Sequence, residues 1–155
     1  MIQRRRKMNT LVALAFFLGL TIAHLIGDWL VQTEFQAVNK DKGGMLYGFL
    51  NVALLTHCAV YTLIFVPVFF VFSIPNTVPF LAVIFTTHLL LDKRVFVIGW
   101  CKHIKRTQQE TIKNLFWLVI AVDQVFHFLV LCGIFLTVIY PSIKTHLTLS
   151  FHVLK

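Results

Sequence analysis

The residues able to do chemistry in this chain are histidines and aspartates four positions apart. His24 precedes Asp28, His88 precedes Asp92, and Asp123 precedes His127. A fourth histidine, His57, has Tyr61 one turn further on. On a helix this spacing puts both members of a pair on one face, a turn apart. Each pair is embedded in an apolar run; His88 and Asp92 are separated by three leucines. An aspartate in the middle of a membrane helix costs roughly 3 kcal/mol on insertion scales, so one found there marks a functional site by default.

Imidazole and carboxylate together suit zinc, manganese or iron. The expected ligands of a divalent ion are His24, Asp28, His57, His88, Asp92, Asp123 and His127. Three ionised carboxylates in an apolar bundle would cost about 9 kcal/mol on the insertion scale. A structural zinc ion contributes roughly 10–16 kcal/mol and removes that conflict. Gln32, one turn beyond Asp28, Gln124, beside Asp123, and Tyr61 are the expected partners that orient the ligands. A bound ion would bring the pKa of a water towards neutrality. Asp28 or Asp123, left free of the metal, would then act as general base. The basic run Lys93, Arg94, Lys102, Lys105 and Arg106 either attracts an anionic lipid headgroup or anchors the chain to the membrane surface. Two other readings of the intramembrane residues stay open: a proton or ion relay, and an interhelical hydrogen-bond clamp that only holds the bundle together.

The elements that must position these residues are membrane helices. Of the 155 residues, 58% are apolar and sixteen are phenylalanine, with a mean hydropathy of +0.82. A soluble domain of this size cannot hide so much apolar surface, and runs of this length argue for an integral membrane protein. The formal charge of +8 sits in short segments between the runs. That suits contact with the bilayer and its anionic headgroups and excludes a nucleic-acid-binding domain, for which aromatic-interleaved basic stretches are missing. Cys58, Cys101 and Cys132 are isolated, which excludes a disulfide framework and a thiolate zinc site and leaves them as small apolar fillers.

The expected architecture is an all-α, four-helix transmembrane bundle forming a single domain over residues 1–155, with helices near residues 11–32, 47–72, 79–100 and 115–140. Arg4 to Lys7 followed by an apolar stretch imitates a signal peptide, but the stretch continues past Ala23 and is long enough to span. Gly43 and Gly44 break the first link, and Pro141 is expected to end the fourth helix, with an interfacial tail beyond. The third helix either runs on to Trp100 or breaks after Lys93 and Arg94. In an up-down-up-down bundle the polar pairs reach similar heights, beside the two long links, and helix bundles build metal sites in this way. The cationic residues number six on one side and eight on the other, so the positive-inside rule only leans towards cytoplasmic links. His103, His146 and His152 read as solvated surface, and Phe65, Phe69 and Phe72 as lipid contact.

The segment from Ala23 to Thr33 with Lys40 downstream, His57 to Tyr61, His88 to Asp92, and Asp123-Gln124 with His127 resemble a family of small bacterial and phage-encoded membrane proteins catalogued as domain of unknown function 3307. The resemblance covers about residues 11 to 140 and implies a bacterial inner-membrane location without implying a reaction. A lysine at Asp-x-x-Lys spacing in the third block has no match here, because Lys93 and Arg94 follow Asp92 at once and Val95 takes that place. More loosely, the pattern is similar to predicted membrane-bound metal-dependent hydrolases. The functional expectation is a metal-dependent hydrolase acting inside the membrane on an amphipathic lipid or phosphoester. The alternatives are a small ion- or proton-conducting protein, which would be oligomeric, and a non-catalytic envelope accessory protein.

Overall fold

The computed structural model describes residues 9–42 and 51–153, with side chains placed as far as residue 141. Among them every regular element is helical. Helix α1 (Thr10–Leu25) starts at Asn9, whose side-chain oxygen accepts the Val12 N–H at 2.8 Å. It runs into a π-helical turn, Ile26–Leu30, closed by a Val31 N–H to Ile26 carbonyl bond of 3.0 Å. Short α2 (Glu34–Asn39) opens with a capping box in which Thr33 and Gln36 satisfy each other's backbone N–H groups. The remaining helices are α3 (Val52–Val71), α4 (Thr77–Asp92), α5 (Val95–His103), α6 (Gln109–Asn114) and α7 (Phe116–Val153).

Three stretches are long and apolar enough to cross a membrane: Thr10–Leu30, Val52–Val71 and Phe116–Pro141. Helix α4 is apolar but has 16 residues, about 24 Å at 1.5 Å per residue, against a hydrocarbon core of about 30 Å. Of the two expectations for residues 79–100, one continuous helix or a break after Lys93 and Arg94, the structure has the break. The break lies at Arg94, which adopts a left-handed φ of 58°. Contacts to the α2–α3 link offset the cost of that conformation for a non-glycine residue. Lys93 donates to the Asp41 and Lys42 carbonyls at 3.1 and 2.7 Å. Arg94 donates to the Asp41 carboxylate at 3.2 Å and lies 4.8 Å over the Phe116 ring. These bonds also fasten the α4–α5 break to the first link.

A second expectation fails at Pro141, which does not end the last helix; α7 continues to Val153. Helices that pack on neighbours tolerate an internal proline because the freed backbone groups find other partners. A third concerns Phe65 and Phe69, which are fully buried rather than turned to lipid. They continue the stripe of His57 and Tyr61 at four-residue spacing, so the face that buries the histidine buries the rings. Phe69 stacks on Phe80 at 5.9 Å and lies 6.1 Å from Phe16.

The core has two apolar parts. One joins α1, α3, α4 and α7 through Phe16, Leu20, Phe65, Phe69, Ile84 and Leu131. The other gathers Leu91, Val97, Cys101, Ile112 and Val119 where α4 to α7 meet. The polar residues of the site lie where these two parts adjoin. The Gly43-Gly44 break, the start of the helix expected from residue 47, the Arg4 to Lys7 run and the side chains of His146 and His152 lie outside the described residues.

Candidate metal centre

Ten polar or charged residues are buried among the described residues, and eight belong to this site: His24, Asp28, Lys40, His57, His88, Asp92, Asp123 and His127. None is more than 8% exposed. Burying charge at this density is costly unless each group is paired or bound to an ion.

The centre is a triangle of ligand atoms. His57 Nε2 lies 3.0 Å from His88 Nε2 and 3.0 Å from Asp92 Oδ2, and His88 Nε2 lies 3.2 Å from the same oxygen. Ligands about 2.0–2.1 Å from a tetrahedral ion stand about 3.3 Å apart, so this triangle is close to one face of such a site. Asp28 Oδ1 stands 3.4 Å from His57 Nε2 and accepts no hydrogen bond among the described residues. Asp28, His57, His88 and Asp92 together form a group whose ligand atoms all fall within 4.8 Å of one another. A second such group is Asp92, Asp123 and His127. The orphaned buried atoms (Asp28 Oδ1, His88 Nδ1, Asp92 Oδ1, Asp123 Oδ1 and His127 Nε2) all belong to these two groups. At the triangle the Lys40 ammonium stands 2.8 Å from Asp92 Oδ2 and the Gln32 amide 3.1 Å from His57 Nε2. The orphaned carboxylate and imidazole atoms around them have no donor, and such atoms are what a cation satisfies, so the residues fit a divalent ion.

His24 is the exception among the seven expected ligands. Trp29 Nε1, which can only donate, reaches Gln124 Oε1 at 3.1 Å, which fixes the Gln124 amide. Gln124 Nε2 then donates to Asp28 Oδ2 at 2.7 Å, and Gln124 Oε1 accepts from His24 Nε2 at 2.9 Å. That tautomer leaves His24 Nδ1 as acceptor for the Tyr61 hydroxyl at 2.9 Å. With both nitrogens used, His24 has no lone pair for an ion, and its expected ligand role gives way to one of orienting Gln124 and Tyr61. Tyr61 also stacks on His88, with ring centroids 3.5 Å apart. Gln32 reaches His57 Nε2 at 3.1 Å.

Two local features of the backbone serve this packing. Gly27 lies in the π-helical turn, and a Cβ there would stand 2.6 Å from Tyr61 Cδ2. The π turn itself carries Gly27 and Asp28 into the interior while Trp29 and Leu30 remain exposed. Such single wide turns inside helices recur at functional sites.

Lys40 enters the sequence pattern only as part of the family resemblance, with no role at the site. The side chain is buried, with Nζ 2.8 Å from Asp92 Oδ2 and 3.7 Å from Asp28 Oδ1. A signal was present: His24, Asp28, Gln32, Gln36 and Lys40 follow one another every fourth residue. The capping box starts α2 so that Gln36 and Lys40 are buried like Asp28 before them, while Phe35 and Val38 are exposed. Of the basic run, Lys93 is buried and Arg94 half-buried in their contacts with the first link; Lys102, Lys105 and Arg106 are exposed around the α5–α6 connection.

Buried histidines and aspartates on membrane-type helices thus define a helical, membrane-associated protein with a candidate metal centre. A match to the family described as "Protein of unknown function (DUF3307)" covers residues 16–154, and the chain belongs to that family. No curated protein and no solved structure matches the chain.

Proposed function

We infer that this protein is a membrane-embedded, metal-dependent hydrolase, with α4 as a short fourth span of its bundle. The observation that carries this reading is the His57–His88–Asp92 triangle with the free Asp28 oxygen beside it. Catalytic zinc sites use three protein ligands and keep a fourth position for water. When bound there, a divalent ion supplies Lewis acidity and a water that ionises near neutral pH.

The chain's own residues handle the protons. Asp28 Oδ1 takes a proton from the attacking water, whose oxygen bonds to the electrophilic centre of an ester. The ester bond breaks with its electron pair on the leaving oxygen, which takes a proton from the Lys40 ammonium. The 3.7 Å separation of Lys40 and Asp28 lets the proton return and resets both. Water is consumed, and an acid and an alcohol form. Gln124 holds Asp28 in place throughout, by the 2.7 Å bond to its other oxygen. An amphipathic substrate would enter from the leaflet at the links. There exposed Lys102, Lys105 and Arg106 favour an anionic headgroup, and exposed Trp100 and Trp117 favour the interface.

One observation favours a second reading. Lys40 already places a positive charge 2.8 Å from Asp92, as in a proton or ion relay. Metal analysis of the purified full chain separates the two. Stoichiometric divalent metal in the wild type, lost in both Asp92→Asn and His88→Ala, is the expected result. A metal-free wild type that passes protons across liposomes would select the relay instead.

A further inference from the structure

We propose that Asp92, Asp123 and His127 hold a second divalent ion, bridged through Asp92 to the first, and that the resulting two-ion centre acts on a phosphodiester. This rests on the metal-dependent reading above and extends it. The three residues offer ligand atoms that all lie within 4.8 Å of one another, and they are at most 5% exposed. His127 Nδ1 is 2.9 Å from the Asp123 carbonyl, an acceptor, so Nδ1 carries the proton. The lone pair is therefore on Nε2, which is buried and has no partner among the described residues. Asp123 Oδ1 is buried and accepts no hydrogen bond, standing 3.6 Å from His127 Nδ1. Asp92 is divided between the groups: Oδ2 completes the His57–His88 triangle, while Oδ1 has no hydrogen bond. A carboxylate that offers one oxygen to each side is the usual bridge of two-ion centres, whose metals stand about 3.5–4 Å apart.

Charge selects the substrate. Three carboxylates and Lys40 with neutral imidazoles leave the site at −2, and a single divalent ion would neutralise it. Two ions bring it to +2, an excess that a buried site does not sustain without an anionic ligand. A singly charged phosphodiester lowers that excess to +1, and the proton that passes from water to Asp28 leaves the total unchanged, whereas a neutral carboxylic ester leaves the full +2. The bond changes are those given above, with phosphorus as the electrophile. The water oxygen bonds to phosphorus, the phosphorus–oxygen ester bond breaks, and the alcohol oxygen takes the Lys40 proton while Asp28 holds that of the water.

The test loads the metal-stripped full chain, in detergent, with Mn2+. After desalting, metal is counted and the low-temperature paramagnetic resonance spectrum recorded for wild type, Asp123→Asn and His127→Ala. Two ions per chain with a spin-coupled spectrum are expected for the wild type. Each variant is expected to keep one ion with an uncoupled spectrum. Asp123→Asn preserves shape, so it remains informative if His127→Ala does not fold. One ion in the wild type, or two in Asp123→Asn, overturns the second site and leaves the first reading standing. No ion in the wild type overturns both. Bis(p-nitrophenyl) phosphate against p-nitrophenyl butyrate tests the substrate. Turnover of the phosphate that falls at least 100-fold in Asp123→Asn is expected, and turnover of the butyrate alone overturns the phosphodiester assignment.

Discussion

Lys40 is the residue whose placement most changes the electrostatics of the site. Its ammonium and a divalent ion would compete for the same carboxylates, Asp28 and Asp92. Removing one partner of a buried ion pair costs about 3–5 kcal/mol because the other charge is left uncompensated. In chelator, Lys40→Met is therefore expected to melt well below the wild type. With divalent metal it is expected to recover most of that loss and to hold the ion at lower free concentration, while its turnover falls; paired thermal melts and metal titrations check both. Gly27 makes a separate demand. Alanine there would drive a methyl group into Tyr61, which cannot yield because it is stacked on His88 and bonded to His24. Overpacking of this kind costs about 1–3 kcal/mol. Gly27→Ala is expected to lower both the melting temperature and metal retention, while Gly99→Ala, whose Cβ meets nothing within 4 Å, leaves them unchanged.

At the scale of elements, the site depends on short pieces rather than on the long spans alone. Helix α2 has six residues and is started by its capping box, yet it carries Gln36 and leads into Lys40. Loss of an N-cap costs about 1 kcal/mol, a large share of what so short a helix can contribute. Thr33→Ala is expected to speed amide exchange across Glu34–Asn39 with little change in α3 or α7, a pattern that hydrogen-exchange mass spectrometry resolves. The α4–α5 break works in the opposite sense. It ends α4 at Asp92, the residue that both ligand groups share, and turns Lys93 and Arg94 back to fasten the first link.

For the whole molecule, the contacts of Lys93 and Arg94 put the α4–α5 break beside the first link, at the end of α4 away from the α3–α4 turn. Cysteines introduced at Asp41 and Lys105 are expected to react with a membrane-impermeant maleimide from one side, and a cysteine at Asn76 from the other. Labelling of all three from one side would rule out α4 as a span. Ion binding also sets a pH dependence for the whole protein. Ligating imidazoles must be neutral, so protons compete with the ion, and retention is expected to fall as pH drops. A wild type whose metal retention does not change with pH would contradict imidazole ligation.

By itself the sequence determined that the protein is helical and built for a bilayer, because apolar run length and the cost of buried charge are properties of composition. It also singled out histidines and aspartates that the structure finds buried, since four-residue spacing on a helix fixes a shared face whatever the neighbours do. The stripe from His57 to Phe69 and the ladder from His24 to Lys40 were equally legible, and were passed over because a link and a lipid face looked like sufficient homes for lysine and phenylalanine. Only the tertiary structure decided how the seven expected ligands divide. Hydrogen bonds to Tyr61 and Gln124, residues 37 and 100 positions away in sequence, use up His24, and contacts from the first link settle where α4 stops. Spacing along one helix carries no information about which partner a neighbouring helix presents, and here it is those partners that give some buried histidines a hydrogen-bond partner on each nitrogen and leave others with an orphaned one.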